Sequence, residues 1–165
     1  MHAHPLVAGV RSLGHRGWFS VFLRRVVVPI DVVVARATGG RLVAFGSRTF
    51  PSLLLTTVGR RSGEPRTIPL LYARDGDAYV VIGSNFGQAH QPAWSGNLLA
   101  HPEATVTVAG RTLPVVARLA TGVERDRLFA LLLSMWPAYQ TYQLRSGGRD
   151  MRIFRLAPAG DPTAP

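Results

Sequence analysis

The chain has 165 residues, of which 47% are hydrophobic and 17% charged, so it can form a globular domain with a core and is not disordered overall. It contains no cysteine, which excludes disulfides, thiolate metal ligands and cysteine nucleophiles. All 19 basic residues are arginine, against 9 acidic residues, and the net charge of +10 indicates a partner with phosphates or carboxylates. The codon usage of a GC-rich genome is an alternative reason for arginine in place of lysine, but not for the net charge.

The first 50 residues are predicted to be an N-terminal helical extension. Val10–Ala37 is rich in apolar residues, but charged side chains interrupt it before it reaches the ~18–20 uncharged residues that a membrane span needs. Pro29 should divide it into an amphipathic helix at Trp18–Val28 and a second helical piece. We expect these to pack on the domain, with weak peripheral contact at the inner face of a membrane as the alternative. No signal peptide is recognised, so the predicted location is cytoplasmic.

Residues 51–158 are predicted to form one β-domain, because short β-forming runs alternate there with the tight turns that join antiparallel strands. The six predicted strands are Leu53–Val58, Arg66–Arg74, Ala78–Ser84, Ala104–Gly110, Arg111–Ala120 and Met151–Ala157. Pro114 predicts that the fifth is an edge strand or a bulged one. Because strands and helices do not alternate, the pattern favours an antiparallel barrel or open roll. Residues 159–165 are predicted to be a disordered tail.

Two helices are predicted between these strands. The first follows Pro92, which is allowed in a first turn because that position needs no intrahelical amide. The second is Thr121–Trp136, in which leucines recur at helical spacing. Thr121 and Glu124 match a capping box, where each side chain accepts a hydrogen bond from an amide of the first turn. Pro137 closes this helix.

The sequence lacks the familiar catalytic motifs: it has no HExxH, no GxSxG, no Walker loop, no GxGxxG after a strand and no glycosidase-like carboxylate pair. Hydrolase chemistry is therefore unsupported. The five histidines are His2, His4, His15, His90 and His101. They are scattered over predicted tails and loops without metal-ligand spacing, so we predict no metal site.

Three segments concentrate polar or aromatic side chains. Gly59–Arg66 carries three arginines within seven positions of a turn, which could bind an anion but would equally suit a solvated hairpin. Ser84–Gln88 follows a predicted strand and leads toward a helix N-terminus, a usual place for a ligand. Trp136–Gln143 carries aromatic and amide side chains that could line a pocket for a flat ligand or cover one end of the barrel.

Taken together, these segments resemble the deazaflavin-dependent nitroreductase family of actinobacteria, whose members use coenzyme F420. The resemblance is carried in order by Leu53–Tyr72, Gly76–Pro102 and Thr121–Gln143. It implies a mainly β fold with α additions, a six-stranded antiparallel split β-barrel of the flavin-reductase and pyridoxamine-phosphate-oxidase kind. It also implies an oxidoreductase that transfers a hydride from reduced F420 to a small organic acceptor such as a quinone, a nitroaromatic or an activated enone.

The resemblance also assigns site residues. Arg60, Arg61 and Arg66 would hold the cofactor's acidic tail, which consists of a phosphodiester and γ-linked glutamate. The other residues implied on the cofactor side are Pro69, Leu71, Ser84, Asn85, Ala93, Trp94 and Asn97. The residues implied on the substrate side are Trp136, Tyr139 and Tyr142. Of these, Tyr139 and Tyr142 share one face if Pro137 starts another helical turn, so their hydroxyls, together with that of Ser84, are candidate catalytic donors to an acceptor oxygen.

The substrate side departs from the family pattern, while the cofactor side is largely intact. Ser95-Gly96 stands where some members carry a bulky aromatic residue, Phe86 replaces a glycine, and Trp136 stands at a tyrosine position of the nitro-reducing type.

Other interpretations remain open at this level. FMN on the same fold would also suit the arginine turn, because its phosphate is an anion. A protein that binds the deazaflavin without turnover is a second alternative. A non-enzymatic nucleic-acid-binding module is supported by charge alone, so we expect no nucleic-acid partner. The sequence leaves the oligomeric state open, with a homodimer among the options.

Overall fold

The structure is a computed structural model that describes residues 51–160. Within that range its strands are β1 (Ser52–Val58), β2 (Pro65–Leu71), β3 (Ala73–Asp75), β4 (Ala78–Ile82), β5 (Glu103–Val108), β6 (Arg111–Leu119) and β7 (Ile153–Pro158). Its α-helices are α1 (Ala93–Ala100), α2 (Gly122–Met135) and α3 (Ala138–Arg145), and a short 3-10 turn spans Asn85–Gly87. The predicted helices before Gly39 and most of the predicted tail lie outside the described residues.

The strands form one antiparallel sheet in the order β2-β1-β5-β6-β7-β4-β3. Its two edge strands are consecutive in the chain and are separated only by Tyr72. One stretch therefore supplies both edges, which requires the sheet to curl into a half-barrel. The predicted antiparallel β architecture is confirmed, but the predicted strand Arg66–Arg74 is two strands, which makes seven in the described range instead of six. The chain turns where the Tyr72 amide donates to the carbonyl of Pro51 at 3.0 Å.

The sheet is buried on both faces, and β4 shows this most clearly. All five of its residues are buried, which explains why it reads as a continuous apolar run. Val80 and Ile82 pack with residues of α2 and α3, whereas Tyr79 and Val81 pack in a second cluster. That second cluster includes Trp94 of α1. Trp94 lies in the first turn of α1, and the candidate site is built around that turn.

Helix α2 begins where it was predicted, but its predicted capping box is wrong. Thr121 occupies the N-cap position without a side-chain capping hydrogen bond. The Glu124 carboxylate instead accepts two hydrogen bonds from the guanidinium of Arg118, both at 2.6 Å. A bidentate charged pair is stronger than a bond to one backbone amide. The Arg118 side chain comes from β6, so the local pattern could not predict this partner.

The prediction that Pro114 marks an edge or bulged strand is also wrong. Strand β6 lies between β5 and β7, and its register with β5 runs unbroken from Glu103–Val116 to Val108–Arg111. The Pro114 carbonyl accepts a hydrogen bond from Ala159, just beyond the end of β7. Since the amide and carbonyl of a strand residue point to the same side, the missing N–H of proline faces the place where pairing with β7 ends.

No helix within residues 51–160 is both long enough and apolar enough to cross a membrane.

Candidate functional site

A cleft of about 660 Å³ lies where the β1–β2 turn, the loop after β4 and the first turn of α1 meet. Its lining residues are Gly59, Arg60, Arg61, Ser62, Arg66, Thr67, Ile68, Asn85, His90, Gln91, Pro92, Ala93, Trp94 and Asn97. The cleft is therefore bounded by segments that are distant in sequence and are brought together by the curvature of the sheet.

The cleft carries a cationic wall. Among the lining residues within 51–160, Arg60, Arg61, Arg66 and His90 are the ionisable side chains, and none of these lining residues is acidic. Within residues 51–160, neither Arg61 nor Arg66 forms a salt bridge. Such uncompensated positive charge beside apolar walls is a site for an anionic ligand.

The β1–β2 turn is held by its own backbone hydrogen bonds. The Gly59 amide donates to the Glu64 carbonyl at 2.8 Å, and the Gly63 amide donates back to the Gly59 carbonyl at 2.7 Å. Gly63 has a φ of +72°, a conformation that glycine adopts without steric cost. Because the turn is a fixed hairpin loop, it holds the backbone of Arg60 and Arg61 in place beside α1.

The three arginines of the turn are not equivalent. The Arg60 guanidinium donates to the Ala93 carbonyl at 3.0 Å, and the Arg60 backbone amide donates to Oδ1 of Asn97 at 3.2 Å. A Cβ on Gly96 would lie 2.6 Å from Nη1 of Arg60, so the guanidinium rests in the space that this glycine leaves. By contrast, the Arg66 guanidinium makes one long contact of 3.5 Å, to Ser62, within residues 51–160, where most of its donors have no acceptor.

Asn97 joins the turn to the sheet. Its side-chain amide donates to Oγ1 of Thr57 at 3.0 Å, while its Oδ1 accepts from the Arg60 backbone. Asn97 and Thr57 are both buried, and a buried amide with both ends satisfied is a strong positional constraint. Arg60 and Asn97 thus act together as a clamp between α1 and the turn.

The loop after β4 forms the second wall of the cleft in an unusual conformation. Asn85, Phe86 and Gly87 have φ values of +45°, +54° and +78°. Two consecutive non-glycine residues in this region cost on the order of 1–3 kcal/mol each, so the surroundings must hold them. Gly87 approaches α3 so closely that a Cβ would lie 3.0 Å from the Tyr142 carbonyl. The Asn85 amide group donates to the His90 carbonyl at 3.1 Å.

The structure brings about half of the predicted site residues into the cleft. The predicted residues in its lining are Arg60, Arg61, Arg66, Asn85, Ala93, Trp94 and Asn97. The predicted residues that are not part of its lining are Pro69, Leu71, Ser84, Trp136, Tyr139 and Tyr142. His90 and Gln91 line the cleft and were not singled out as ligand-binding residues from the sequence.

The aromatic segment lies in the core beneath the loop after β4. Trp136, Tyr139 and Tyr142 are all buried in the cluster formed by α2, α3 and the sheet. Tyr139 and Tyr142 share a helical face as predicted, with ring centroids 6.1 Å apart. Burial raises the pKa of Tyr139 well above its ordinary value, so its hydroxyl stays protonated.

Tyr142 connects this aromatic segment to the cleft wall. Its ring meets that of Phe86 edge to face at 6.2 Å. Its hydroxyl is buried and has no hydrogen-bond partner within the described part of the chain. A buried unsatisfied hydroxyl is uncommon and marks a place where a polar group can be received.

Comparisons with known proteins agree with this picture. A family model described as F420H(2)-dependent quinone reductase matches residues 28–158, so the match begins within the predicted N-terminal extension and ends with β7. An F420H(2)-dependent quinone reductase of Mycobacterium tuberculosis is 40% identical over 85 residues, which cover 52% of this chain and 57% of that protein. The alignment thus spans little more than half the length of that curated relative.

Solved structures extend the similarity to the fold. One described as an F420-H2 dependent reductase has a TM-score of 0.60 and 31% identity, and covers 64% of this chain and 93% of that chain. Another, described as a domain-swapped dimer, has a TM-score of 0.63 and 29% identity, and covers 78% of this chain and 98% of that chain. These matches confirm the resemblance carried by the three sequence segments.

Proposed function

Because this chain belongs to the F420H(2)-dependent quinone reductase family, we propose that it is an oxidoreductase that binds coenzyme F420 in the basic cleft and reduces a small organic acceptor. A quinone is the acceptor class we place first, ahead of nitroaromatics and activated enones, because the matching family is described by that reaction.

The observation that carries this proposal is the uncompensated charge of Arg61 and Arg66. Both line a cleft whose other ionisable residues, in the described part of the chain, are basic as well. The phosphodiester and glutamate carboxylates of F420 are the anions that guanidinium groups bind best. Trp94 and Ile68 supply apolar lining in the same cleft. The residues present therefore fit the cofactor.

The protein's own residues then have distinct roles. When bound, the reduced deazaflavin supplies the hydride, which explains why the chain needs no catalytic motif of its own. Arg61 and Arg66 bind and neutralise the anionic tail. Arg60 and Asn97 hold the turn against α1, and Asn85 forms part of the opposite wall.

Hydrogen-bond donors near the acceptor are the second part of the proposal. We assign this role to the hydroxyls of Ser84, Tyr139 and Tyr142, which would stabilise negative charge on the acceptor oxygen. The hydroxyl of Tyr142, which is buried without a hydrogen-bond partner in the described part of the chain, supports it. Changing both tyrosines to phenylalanine should lower turnover and leave F420 affinity about unchanged. Unaltered turnover with every acceptor would remove them from the mechanism.

Cofactor titration tests the proposal directly. The protein is titrated separately with F420 and with FMN, each followed by its visible absorbance, and the F420 complex is then offered quinones and nitroaromatics with reduced cofactor. We expect F420 binding that weakens with added salt, since the contacts are ionic. Tight FMN binding with no F420 binding would favour the FMN alternative. F420 binding without turnover would favour a carrier.

Assembly and location are further proposals. The similarity to a structure described as a domain-swapped dimer supports a homodimer, which light scattering of the purified protein would test. A cytoplasmic location, peripheral contact through Trp18–Val28 and the expectation of no nucleic-acid partner stay predictions from the sequence.

A further inference from the structure

Arg149 connects the segment after α3 to the cleft wall. It lies between α3 and β7, and its guanidinium donates four hydrogen bonds to the segment that follows β4. The acceptors are the carbonyls of Gln88, Gly83 and Ser84 at 3.1, 3.0 and 2.9 Å, and Oε1 of Gln91 at 2.6 Å. Arg149 is not among the residues that line the cleft.

Arg149 forms no salt bridge within residues 51–160, so its charge is stabilised there by the dipoles of these carbonyls. Burial, together with the nearby charge of Arg152, lowers the pKa of Arg149 from its ordinary value, although arginine remains protonated in proteins. A partly buried cation with carbonyl partners alone is uncommon, because a carboxylate would compensate it better. The guanidinium lies where it can bind the segment from Gly83 to Gln91.

The segment that Arg149 holds contains the strained residues of the cleft wall. Asn85 and Phe86 adopt positive φ values between Ser84 and Gln88, two of the carbonyls that Arg149 binds. A second hydrogen bond joins the same two segments, because the Gln91 side chain donates to the carbonyl of Asp150, the residue after Arg149, at 2.8 Å. Without the guanidinium, three carbonyls would lose a charged donor and the strained backbone would be free to relax.

We propose that Arg149 is a positioning residue for the cofactor cleft: by binding Gly83, Ser84, Gln88 and Gln91, it fixes the wall that presents Asn85 and His90 to the ligand. This inference rests on the proposed function for the identity of the ligand, but not for the fixing of the loop. Lysine cannot substitute, because a single ammonium group cannot span four acceptors as the planar guanidinium does.

The test compares Arg149→Ala and Arg149→Lys with Arg111→Ala. Arg111 is an exposed arginine at the start of β6, so its variant matches the loss of charge. Hydrogen exchange of amides 84–91 is measured without cofactor, and F420 affinity is measured per folded protein. We expect faster exchange in that segment and an F420 affinity that is weaker by about tenfold or more in both Arg149 variants. Arg111→Ala should show neither effect.

Two outcomes separate the alternatives. Unchanged exchange at residues 84–91 and unchanged affinity in Arg149→Ala would overturn the inference, as would a lower melting temperature with affinity intact, which indicates a general structural role. If Arg149→Ala does not fold, Gln91→Ala removes one acceptor of Arg149 and the hydrogen bond to the Asp150 carbonyl. It should then give faster exchange and weaker F420 affinity, each by a smaller factor. If the wild-type protein does not bind F420, the proposed function fails, while the exchange comparison still decides whether Arg149 fixes the loop.

Discussion

The arginines of the cleft and the arginines around α2 belong to one residue type but meet opposite surroundings. Around α2, Arg118 pairs with Glu124, and Asp75 accepts hydrogen bonds from both Arg127 and Arg155. In the cleft, Arg61 and Arg66 have no carboxylate partner within residues 51–160. Asp75 and Glu124 are thus used where arginine holds the fold together. Arg61 and Arg66, which have no such partner within residues 51–160, face a cavity where a ligand can supply the negative charge.

The largest expected effect comes from removing a cleft arginine. Arg66→Ala should weaken F420 binding by roughly tenfold to a hundredfold, because a hydrogen bond to a charged group contributes on the order of 1.5–3 kcal/mol. The free energy of unfolding should stay about the same, since within the described residues the Arg66 guanidinium makes a single long contact, to Ser62. Cofactor titration and chemical denaturation measure the two quantities.

The control for this variant is Arg111→Ala rather than Arg118→Ala. Arg118 pairs with Glu124, so its removal would change stability as well as charge. Equal losses of affinity in Arg66→Ala and Arg111→Ala would show that only the net charge matters. That result would contradict a specific role for the cleft arginines in binding F420.

Removing a carboxylate that pairs with arginine should have the reverse effect, which is lower stability at unchanged F420 affinity. Asp75 is 19% exposed and bonds arginines of α2 and β7. Asp75→Asn should lower the free energy of unfolding by about 1–2 kcal/mol and leave F420 affinity unchanged. Urea denaturation and titration of the same preparation test both statements. A loss of affinity at full stability would contradict the division between the two regions.

Acid should destabilise the protein by protonating the carboxylates of Asp75 and Glu124, which pair with arginine. Hydrogen bonds from arginine lower the pKa of Asp75 and of Glu124 below their ordinary values of 3.8 and 4.5. Groups with a lowered pKa in the folded state stabilise it fully above the ordinary value, and this contribution is lost as the pH falls through the folded value. The melting temperature should therefore fall below about pH 4.5. Asp75→Asn should show a smaller fall over that range, and an equal fall would exclude Asp75 as a cause.

The smallest expected effect concerns the clamp between the turn and α1. A methyl group on Gly96 would meet the Arg60 guanidinium, which is the end of a flexible side chain and can move aside. Gly96→Ala should therefore weaken F420 binding by only about two- to tenfold, because the displaced guanidinium keeps its charge beside the cleft. Arg60→Ala should cause a similar loss, and the double variant should lose no more than either one. Additive losses would show that the two residues act independently.

Much of the fold could be predicted from local patterns. The hairpin turns at Asp75-Gly76-Asp77 and Gly110, the helix after Pro92 and the start of α2 at Thr121 are each encoded by neighbouring residues. The arginine turn could be found in the same way, because three arginines within seven positions stand out in one segment. The N-terminal extension stays a prediction, as do the catalytic and ligand-binding roles of the individual residues.

Other features depend on contacts between different elements of the fold. The break at Tyr72 arises because the curled sheet uses one segment for both edges, and nothing in Arg66–Arg74 itself marks that break. Glu124 matches a capping box, but Arg118 of a neighbouring strand offers it a stronger partner.

The sequence by itself determined the β-rich pattern, the hairpins and the cationic turn, because these depend on side-chain periodicity, turn residues and charge within short stretches. Only the tertiary structure decided which arginines are neutralised and which stay open, since pairs such as Arg127–Asp75 and Arg155–Asp75 join residues that are close in space and distant in sequence. It also placed Tyr139 and Tyr142 in the core and gave Arg149 its hold on the Ser84–Gln91 loop. The physical reason is that charge compensation and burial are properties of the packed molecule, while local propensity is a property of the chain.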